Sequence, residues 1–497
     1  MLRTIRIILA ALFFLGTTLL LLDFTGVLHL YLGWMAKIQF IPAILALNFG
    51  VVAVLVVLTL LLGRVYCSVI CPLGILQDII SHFNRKKNRF KYTKAHNWLR
   101  YSLLVVFIVL LMLGLSSIAS LIAPYSSFGR IATNLLAPVY GGVNNLLAMV
   151  AEHYDSYAFY KTDVYIKSLP TFIVAAVTFV VIFVLAFKGG RTWCNNVCPV
   201  GTVLGFFSRF SLLKPVIDAE KCVKCGLCGK NCRANCINTT EGEIDYSRCV
   251  VCLDCIKNCN SGAIKYTARC RKTKVAASCP ASACTSADGS ADKGRREALS
   301  IIGLAAATAA LNAQEQHGDG SLAVLQDKQI PQRGVSPKPA GSGSVKHFSD
   351  VCTACQLCVS KCPEKVLRPS TGLDSFMQPE MSFEAGYCRP ECTRCSEVCP
   401  TGAISKLSRV EKSSVQIGHA VVIPANCVVR TDDVDCGNCA RHCPAGAIRM
   451  VKEAGVNHKV PAVNAERCIG CGSCEYHCPA RPVSAIYVEG HLVHRTL

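Results

Sequence analysis

Groups of four closely spaced cysteines recur six times, and this repeat limits what the chain can fold into more than any other feature. Cys222, Cys225, Cys228 and Cys232 follow C-x2-C-x2-C-x3-C, and Cys249, Cys252, Cys255 and Cys259 repeat the spacing. It returns in Cys352, Cys355, Cys358 and Cys362, and again in Cys468, Cys471, Cys474 and Cys478, each followed by proline. Two copies are stretched at the front: Cys388, Cys392, Cys395 and Cys399, and Cys427, Cys436, Cys439 and Cys443. Three thiolates two residues apart on a tight loop reach three corners of one cubane, while the fourth points to the other member of a pair. The spacing therefore predicts six 4Fe–4S clusters. It assigns Cys222, Cys225, Cys228 and Cys259 to one cluster, and Cys249, Cys252, Cys255 and Cys232 to a second. In the last domain, adjacent pairing and a nested pairing of first motif with fourth both satisfy the spacing.

Other cysteine chemistries fit poorly. Structural zinc uses paired C-x2-C knuckles with separated halves. A disulfide framework suits neither a cytoplasmic domain nor six near-identical repeats. No C-x-x-C-H occurs, which excludes c-type haem attachment. Cys236, Cys270, Cys279 and Cys284 fit no ligand spacing and read as free thiols. The short tails Gly262-Ala-Ile, Gly402-Ala-Ile and Gly446-Ala-Ile are expected to begin the small strands that close each module. The motifs resemble those of bacterial two-cluster ferredoxins.

The apolar residues lie elsewhere. With 52% hydrophobic residues, the chain places its long apolar runs within residues 1–190. Segments 4–22, 40–62, 102–123 and 169–187 are each long enough to cross a bilayer, which takes about 20 residues. The net charge of +20 would suit nucleic acid, but the basic residues are local. Between His82 and Arg100 stand Arg85, Lys86, Lys87, Arg89, Lys91, Lys94 and Arg100 with no acid. Between two apolar spans, such a run marks a cytoplasmic loop. Nucleic acid is therefore excluded as a partner. Arg3 and Arg6 put the N-terminus on the same side, and the cytoplasm also receives Lys188 and Arg191. In the outer loop 124–168, the apolar stretch 135–150 reads as a re-entrant or interfacial helix, broken by Pro124, Pro138, Gly141 and Gly142.

Two further cysteine pairs stand at the inner ends of spans: Cys67 and Cys71 ahead of Pro72-Leu-Gly74, and Cys194 and Cys198 ahead of Pro199-Val-Gly201. Four residues apart, each pair lies on one face of a helical turn. The matching positions suggest a duplicated hairpin whose four thiols bind a metal centre, exchange disulfides, or shape the helix ends.

Four spans, two C-x3-C-P motifs and a following two-cluster domain resemble the NapH-type membrane polyferredoxins, related to the NosR and CcoG groups, over residues 1–265. No flavin-binding domain precedes the first span, unlike NosR. Beyond residue 345 the chain resembles the NapG/MauM-type four-cluster ferredoxins, so the whole looks like a fusion of the two. Gly294-Arg295-Arg296-Glu-Ala-Leu-Ser300 resembles the twin-arginine export signal of NapG-type precursors, and is expected to act as an uncleaved tether.

The expected fold is a membrane α-helical bundle of four spans plus a fifth tether helix, followed by α+β ferredoxin-like 4Fe–4S modules. Its parts are a transmembrane domain (1–200), a two-cluster domain (201–268), a linker with the twin-arginine motif (269–297), an apolar helix (298–313), a flexible linker (314–345) and a four-cluster domain (346–497). The resemblance implies a bacterial inner-membrane protein whose first ferredoxin domain is cytoplasmic and whose last is periplasmic. It would pass electrons from the quinone pool to a periplasmic reductase, such as nitrate reductase, or to a multihaem cytochrome, as a quinol dehydrogenase component. CcoG-like metal-centre assembly, or a non-catalytic electron-transfer subunit of a larger respiratory complex, are the alternatives. Asp23, His29 and His153 lie in outer loops where quinol protons would be released, but read more simply as solvated loop residues. Lys37, Gln39 and Asn48 stand near membrane boundaries without a distinct signal.

Overall fold

The computed structural model describes residues 2–23, 27–84, 90–155, 159, 161, 162, 164, 167–268 and 327–497. Met1–Arg269 and Lys328–Leu497 form one compact unit. The twin-arginine motif, the apolar run 298–313, and Cys270, Cys279 and Cys284 lie outside the described residues.

Two helices have full spanning length, Leu2–Leu22 and Leu169–Gly189, each of 21 residues. Thr17 and Thr18 return their hydroxyls to Phe13 O and Phe14 O at 2.7 Å, so these two hydroxyls are paired within the helix itself. The other two expected spans are not continuous helices. Segment 40–62 divides into Phe40–Leu45 and Phe49–Leu62, because Asn48 Oδ1 accepts from Val51 N at 3.3 Å and starts a new helix. Segment 102–123 ends as the helix Asn97–Met112, and Gly114, at φ +74°, turns the chain away. Beyond it, all eight residues of the helix Pro124–Ile131 are buried, packed against the helices Pro72–Phe83 and Leu169–Gly189. The stretch around 135–150 is one helix, Ala137–His153. Pro138 sits in its first turn, where the missing N–H costs nothing, and Gly141 and Gly142 do not break it.

Each cysteine module is closed by short antiparallel pairs. Leu213–Ile217 pairs with Ile264–Ala268, and Ile237–Asn238 with Glu243–Ile244. In the last domain Leu367–Pro369 pairs with Pro379–Met381, Ile448–Val451 with Val460–Val463, and Val415–Val422 with Ile486–Thr496. The tails at Gly262 and Gly446 lead into strands as expected. Gly402-Ala-Ile does not; there Ser405 N bonds Gly341 O at 2.9 Å outside any strand.

The two cysteine-rich domains meet opposite ends of the same helices. At the start of Leu2–Leu22, Arg3 Nε bonds Asp254 at 2.7 Å, while Asp23, just past its end, pairs with Lys361 Nζ at 2.6 Å. Lys167, ahead of Leu169–Gly189, donates to Val359 O at 3.3 Å, and at the far end Asn235 Nδ2 bonds Gly189 O at 3.1 Å.

Candidate iron–sulfur sites

Each regular motif curls around its middle cysteine. The residues on both sides of it have positive φ: Lys224 and Gly226, Val251 and Leu253, Ala354 and Gln356, Gly470 and Gly472. Five of these eight carry side chains, at a cost of about 1–2 kcal/mol each. Such strain persists only where the surroundings require it. Here it turns three thiols toward one cavity, and a four- or five-residue helix then carries the fourth cysteine into the neighbouring motif.

The cavity linings bring together cysteines from different motifs. Cys222, Cys225, Cys228 and Cys259 line one cavity, and Cys249, Cys252, Cys255 and Cys232 line another. In the last domain Cys352, Cys355 and Cys358 share a cavity with Cys399, and Cys468, Cys471 and Cys474 share one with Cys443. The stretched motifs complete the pattern: Cys388, Cys392 and Cys395 are neighbours of Cys362, and Cys439 has Cys427, Cys436 and Cys478 around it. The last four motifs are therefore interleaved as adjacent pairs, not nested.

The donor sets fit a cluster better than a single ion. Four thiolates around one zinc at 2.3 Å would stand about 3.8 Å apart. Among the described residues no three His, Cys, Asp or Glu side chains converge in that way. Burial pushes the thiols of Cys355 and Cys471 up to about 12 and Cys439 to about 11, so bare thiols there keep their protons, and bound iron would displace them. The fourth cysteines are met by backbone donors: Ile404 N bonds Cys399 Sγ at 3.5 Å, Ala447 N bonds Cys443 Sγ at 3.3 Å, and Ala485 N bonds Cys478 Sγ at 3.3 Å. Lys412 Nζ lies 3.3 Å from Cys388 Sγ. Cys236, which spacing set aside, is buried beside the second cavity with its sulfur 3.5 Å from that of Cys232.

The C-x3-C-P cysteines form a further group of thiols within the same buried core. All four are buried; Cys71 has Cys67 and Cys194 as electrostatic neighbours, and Cys198 has all three others. The pairs do not share one helical turn, as their spacing suggested. Cys71 and Cys198 are extended and serve as N-caps of the helices Pro72–Phe83 and Pro199–Ser208. Gln77 Nε2 lies 3.1 Å from Cys194 Sγ, and Gly201 N 3.4 Å from Cys198 Sγ. A Cβ on Gly74 would stand 2.3 Å from Cys67 O, and one on Gly201 2.1 Å from Cys194 O, so both turns require glycine. Arg191 forks onto Asp78 at 2.9 and 2.7 Å. Burial alone would raise the Asp78 carboxyl, but Arg191, Arg233 and Arg6 override it and hold it at about 2.

The outer-loop candidates have other duties. Asp23 is spent on Lys361, and also accepts from Leu28 N at 3.1 Å. His29 is half-buried; burial, then Lys361 and Lys37, hold its pKa below the ordinary value. His153 packs edge-on against Tyr154. Gln39 accepts from the Tyr66 hydroxyl at 2.9 Å. The loop of Cys352–Cys358 touches the bundle closely: Ser116 Oγ donates to Cys352 O at 2.9 Å, and Thr133 and Asn134 donate to Gln356 Oε1 at 2.9 and 2.8 Å.

Comparison with known proteins agrees with this chemistry. A 4Fe–4S binding domain family matches residues 44–90 and 171–217, the two segments that carry the C-x3-C-P motifs. A 4Fe–4S dicluster domain family matches residues 434–481. An uncharacterized protein of Methanocaldococcus jannaschii is 28% identical over 182 residues, 36% of this chain and 54% of that protein. The methylamine utilization ferredoxin-type protein MauM of Methylobacillus flagellatus is 29% identical over 158 residues, 30% of this chain and 65% of its own. The ferredoxin-type protein NapH of Haemophilus influenzae is 27% identical over 188 residues, 36% and 51%. The chain thus spans about half to two thirds of the length of these relatives. No solved structure matches it. The protein carries 4Fe–4S domains of ferredoxin type, and the named relatives MauM and NapH are ferredoxin-type proteins.

Proposed function

We propose that the chain is a membrane-anchored electron-transfer protein that holds six 4Fe–4S clusters and passes electrons from quinol to a periplasmic reductase or multihaem cytochrome. The observation that carries this reading is the contact of cysteine-rich domains with both ends of Leu2–Leu22. At 21 residues that helix is about 31 Å long, close to the hydrocarbon thickness of a bilayer. Exposed apolar side chains support the membrane reading: Leu12, Leu15 and Leu19 on this helix, Val177 and Val180 on Leu169–Gly189, and Val105 and Ile108 on Asn97–Met112. Phe49–Leu62 and Asn97–Met112 serve as the two shorter spans. The basic loop of residues 82–100 then faces the cytoplasm, and the four-cluster domain the periplasm.

In this reading each cavity quartet holds one cluster, six in all, and the adjacent pairs exchange their fourth ligands. The clusters, when bound, supply one-electron carrier sites. The chain's own residues tune them: the N–H groups of Ile404, Ala447 and Ala485 and the Lys412 ammonium all stabilise negative charge on ligand sulfur. The core of Cys67, Cys71, Cys194 and Cys198 is a further redox or metal site, a role supported by the 4Fe–4S family match to both of its segments. Its position beside Arg64, which also bonds Ser247 O at 3.0 Å, sets it next to the loop of Cys249.

The test is an EPR-monitored titration of membranes containing only this chain, with a quinol analogue as sole reductant. Reduced clusters are expected. If no cluster accepts electrons from quinol, the dehydrogenase reading fails and an assembly or docking role takes its place.

A further inference from the structure

Arg130 and Lys338 are far apart in sequence, yet both bring a buried positive charge to the same cysteine quartet. Arg130, on the buried helix Pro124–Ile131, is 0% exposed. Its guanidinium donates to Ser120 Oγ at 3.2 Å, Ser120 O at 3.0 Å, and Leu121 O and Ser127 Oγ at 3.3 Å, all neutral acceptors. Lys338 is 2% exposed, and its ammonium lies 5.6 Å from the centre of the Phe348 ring. No carboxylate stands among the charge neighbours of Arg130, and Glu380 influences Lys338 without an ion pair between them. Neutral oxygens satisfy N–H groups but leave the net charge uncompensated, which a low-dielectric interior tolerates poorly.

Both cations have the same source of negative charge beside them. Cys355 is a charge neighbour of Arg130, and Cys352 of Lys338. Backbone packing holds them there. A Cβ on Gly129, next to Arg130, would stand 2.5 Å from Cys355 O. Phe348, whose ring carries the Lys338 ammonium, accepts from Cys352 N at 2.9 Å through its carbonyl. Neither cation lines the cavity of Cys352, Cys355, Cys358 and Cys399, so each acts by charge across a dry interior and not by contact.

We infer that Arg130 and Lys338 are the counter-charges of a cluster held by Cys352, Cys355, Cys358 and Cys399, and make it the highest-potential centre of the last domain, where electrons from the bundle are received. The inference rests on the cluster reading proposed above. The place of the quartet supports it, since Ser116, Thr133 and Asn134 of the bundle bond its loop. Elsewhere in that domain Lys412 brings one cation to Cys388, and the Glu475 carboxylate neighbours Cys474. Cluster potential follows local net charge, so two buried cations favour the gain of one electron more than one does. In the respiratory reading quinol is the donor, and no bond is made or broken at the quartet.

The test is an EPR redox titration of the full chain in nanodiscs, with dithionite as reductant so that quinol reactivity does not enter. Cys399→Ser identifies the signal of this centre, and Cys362→Ser, Cys443→Ser and Cys478→Ser mark the other three. In the parent, the Cys399-dependent signal should titrate at the highest potential of the four. Arg130→Gln should weaken its reduction equilibrium roughly tenfold, a fall of about 60 mV for a one-electron couple, and Lys338→Met should do likewise. Arg130→Lys keeps the charge and should keep most of the parent potential, which a packing role would not give. Iron content checks that each variant is loaded, and where a variant does not assemble, the order of potentials in the parent decides. If no signal depends on Cys399 and iron falls short in the parent, the cluster reading of this quartet fails and this inference with it. If the centre is present but is not the highest, or keeps its potential in both Arg130→Gln and Lys338→Met, the counter-charge role alone is overturned.

Discussion

Arg64 and Arg191 occupy equivalent places in the two C-x3-C-P repeats and exchange partners between them. Arg64 Nη2 donates to Cys194 O at 3.4 Å, and Arg191 Nη1 to Cys67 O at 2.5 Å. Both are 0% exposed. Each guanidinium therefore pins the cysteine turn of the other repeat, and the four thiols converge because the arginines cross. Arg191→Met removes that clamp and leaves Asp78 buried with only the more distant Arg6 and Arg233. We expect a loss of about 3–5 kcal/mol in stability, read as a lowered unfolding midpoint in detergent. Lys cannot replace Arg191, since one ammonium cannot reach the Asp78 carboxylate and the Cys67 carbonyl in a fixed fork, nor Arg64, which spans Asn195 Oδ1, Ser247 O and Cys194 O.

The same carboxylate sets a pH limit. Asp78 is held near 2 when folded, against about 3.9 in an unfolded chain. A depressed folded pKa contributes stability in full above the unfolded value, lost as pH falls through the folded one. The contribution is about 2 kcal/mol and disappears between about pH 4 and pH 2. Asp78→Asn should remove it at neutral pH and flatten that part of the stability curve. Unfolding midpoints of parent and variant measured from pH 6 to pH 2.5 should converge in acid; parallel curves would contradict the assignment.

The interleaving of the last four motifs makes a selective prediction. Cys399 lines the cavity of Cys352, Cys355 and Cys358, so Cys399→Ser should perturb that centre and spare the one served by Cys388, Cys392 and Cys395. The intact chain should contain about 24 iron atoms in its six proposed centres, and the variant about four fewer if the weakened cluster is lost. A nested pairing would instead put the effect of Cys478→Ser on the Cys352 centre. Iron analysis with Mössbauer spectra of both variants distinguishes the two.

Asp23 and Lys361 tie the C-terminal cysteine-rich domain to the bundle through a pair that is 3% and 1% exposed. Asp23→Ala leaves the buried ammonium with only the backbone carbonyl of residue 23 and no counter-charge, and should cost about 3 kcal/mol of docking. Hydrogen exchange should then rise in residues 352–361 and 116–134 together, with protection elsewhere in 415–497 unchanged. Exchange that stays at the parent level in both segments would rule out a holding role for the pair.

Much of the site could be read from spacing alone, because thiols two residues apart face one centre in any sequence that turns tightly. Cross-pairing of Cys259 and Cys232 followed from the same geometry. Helix length was less legible. Hydropathy does not register that Asn48 caps a new helix, or that Gly114 reverses the chain, since a single polar or small residue scarcely alters the average of a long window. The arginine exchange had a signal that went unused: Gly63-Arg64 and Gly190-Arg191 precede their cysteines at the same distance. The docking of Asp23 on Lys361 had none, because two residues 338 apart in sequence carry no local trace of one another.

Cys236 was the residue that spacing discarded, and it offers the sharpest test of how the second centre is tuned. Hydrogen bonding to Cys232 and Cys249, followed by burial, holds its pKa well above the usual thiol range, so it remains an S–H donor. In the proposed ligand set both partners are thiolates of that centre. Donation to ligand sulfur stabilises the reduced, more negative cluster and raises its potential. Cys236→Ala removes the donor without adding bulk. A hydrogen bond worth about 0.5–1.5 kcal/mol corresponds to a fall of roughly 20–60 mV for a one-electron couple. Cys236→Ser, which keeps a donor of similar size, should recover most of that shift. An EPR redox titration resolves the two variants, and an unchanged potential in Cys236→Ala would leave this thiol as packing alone.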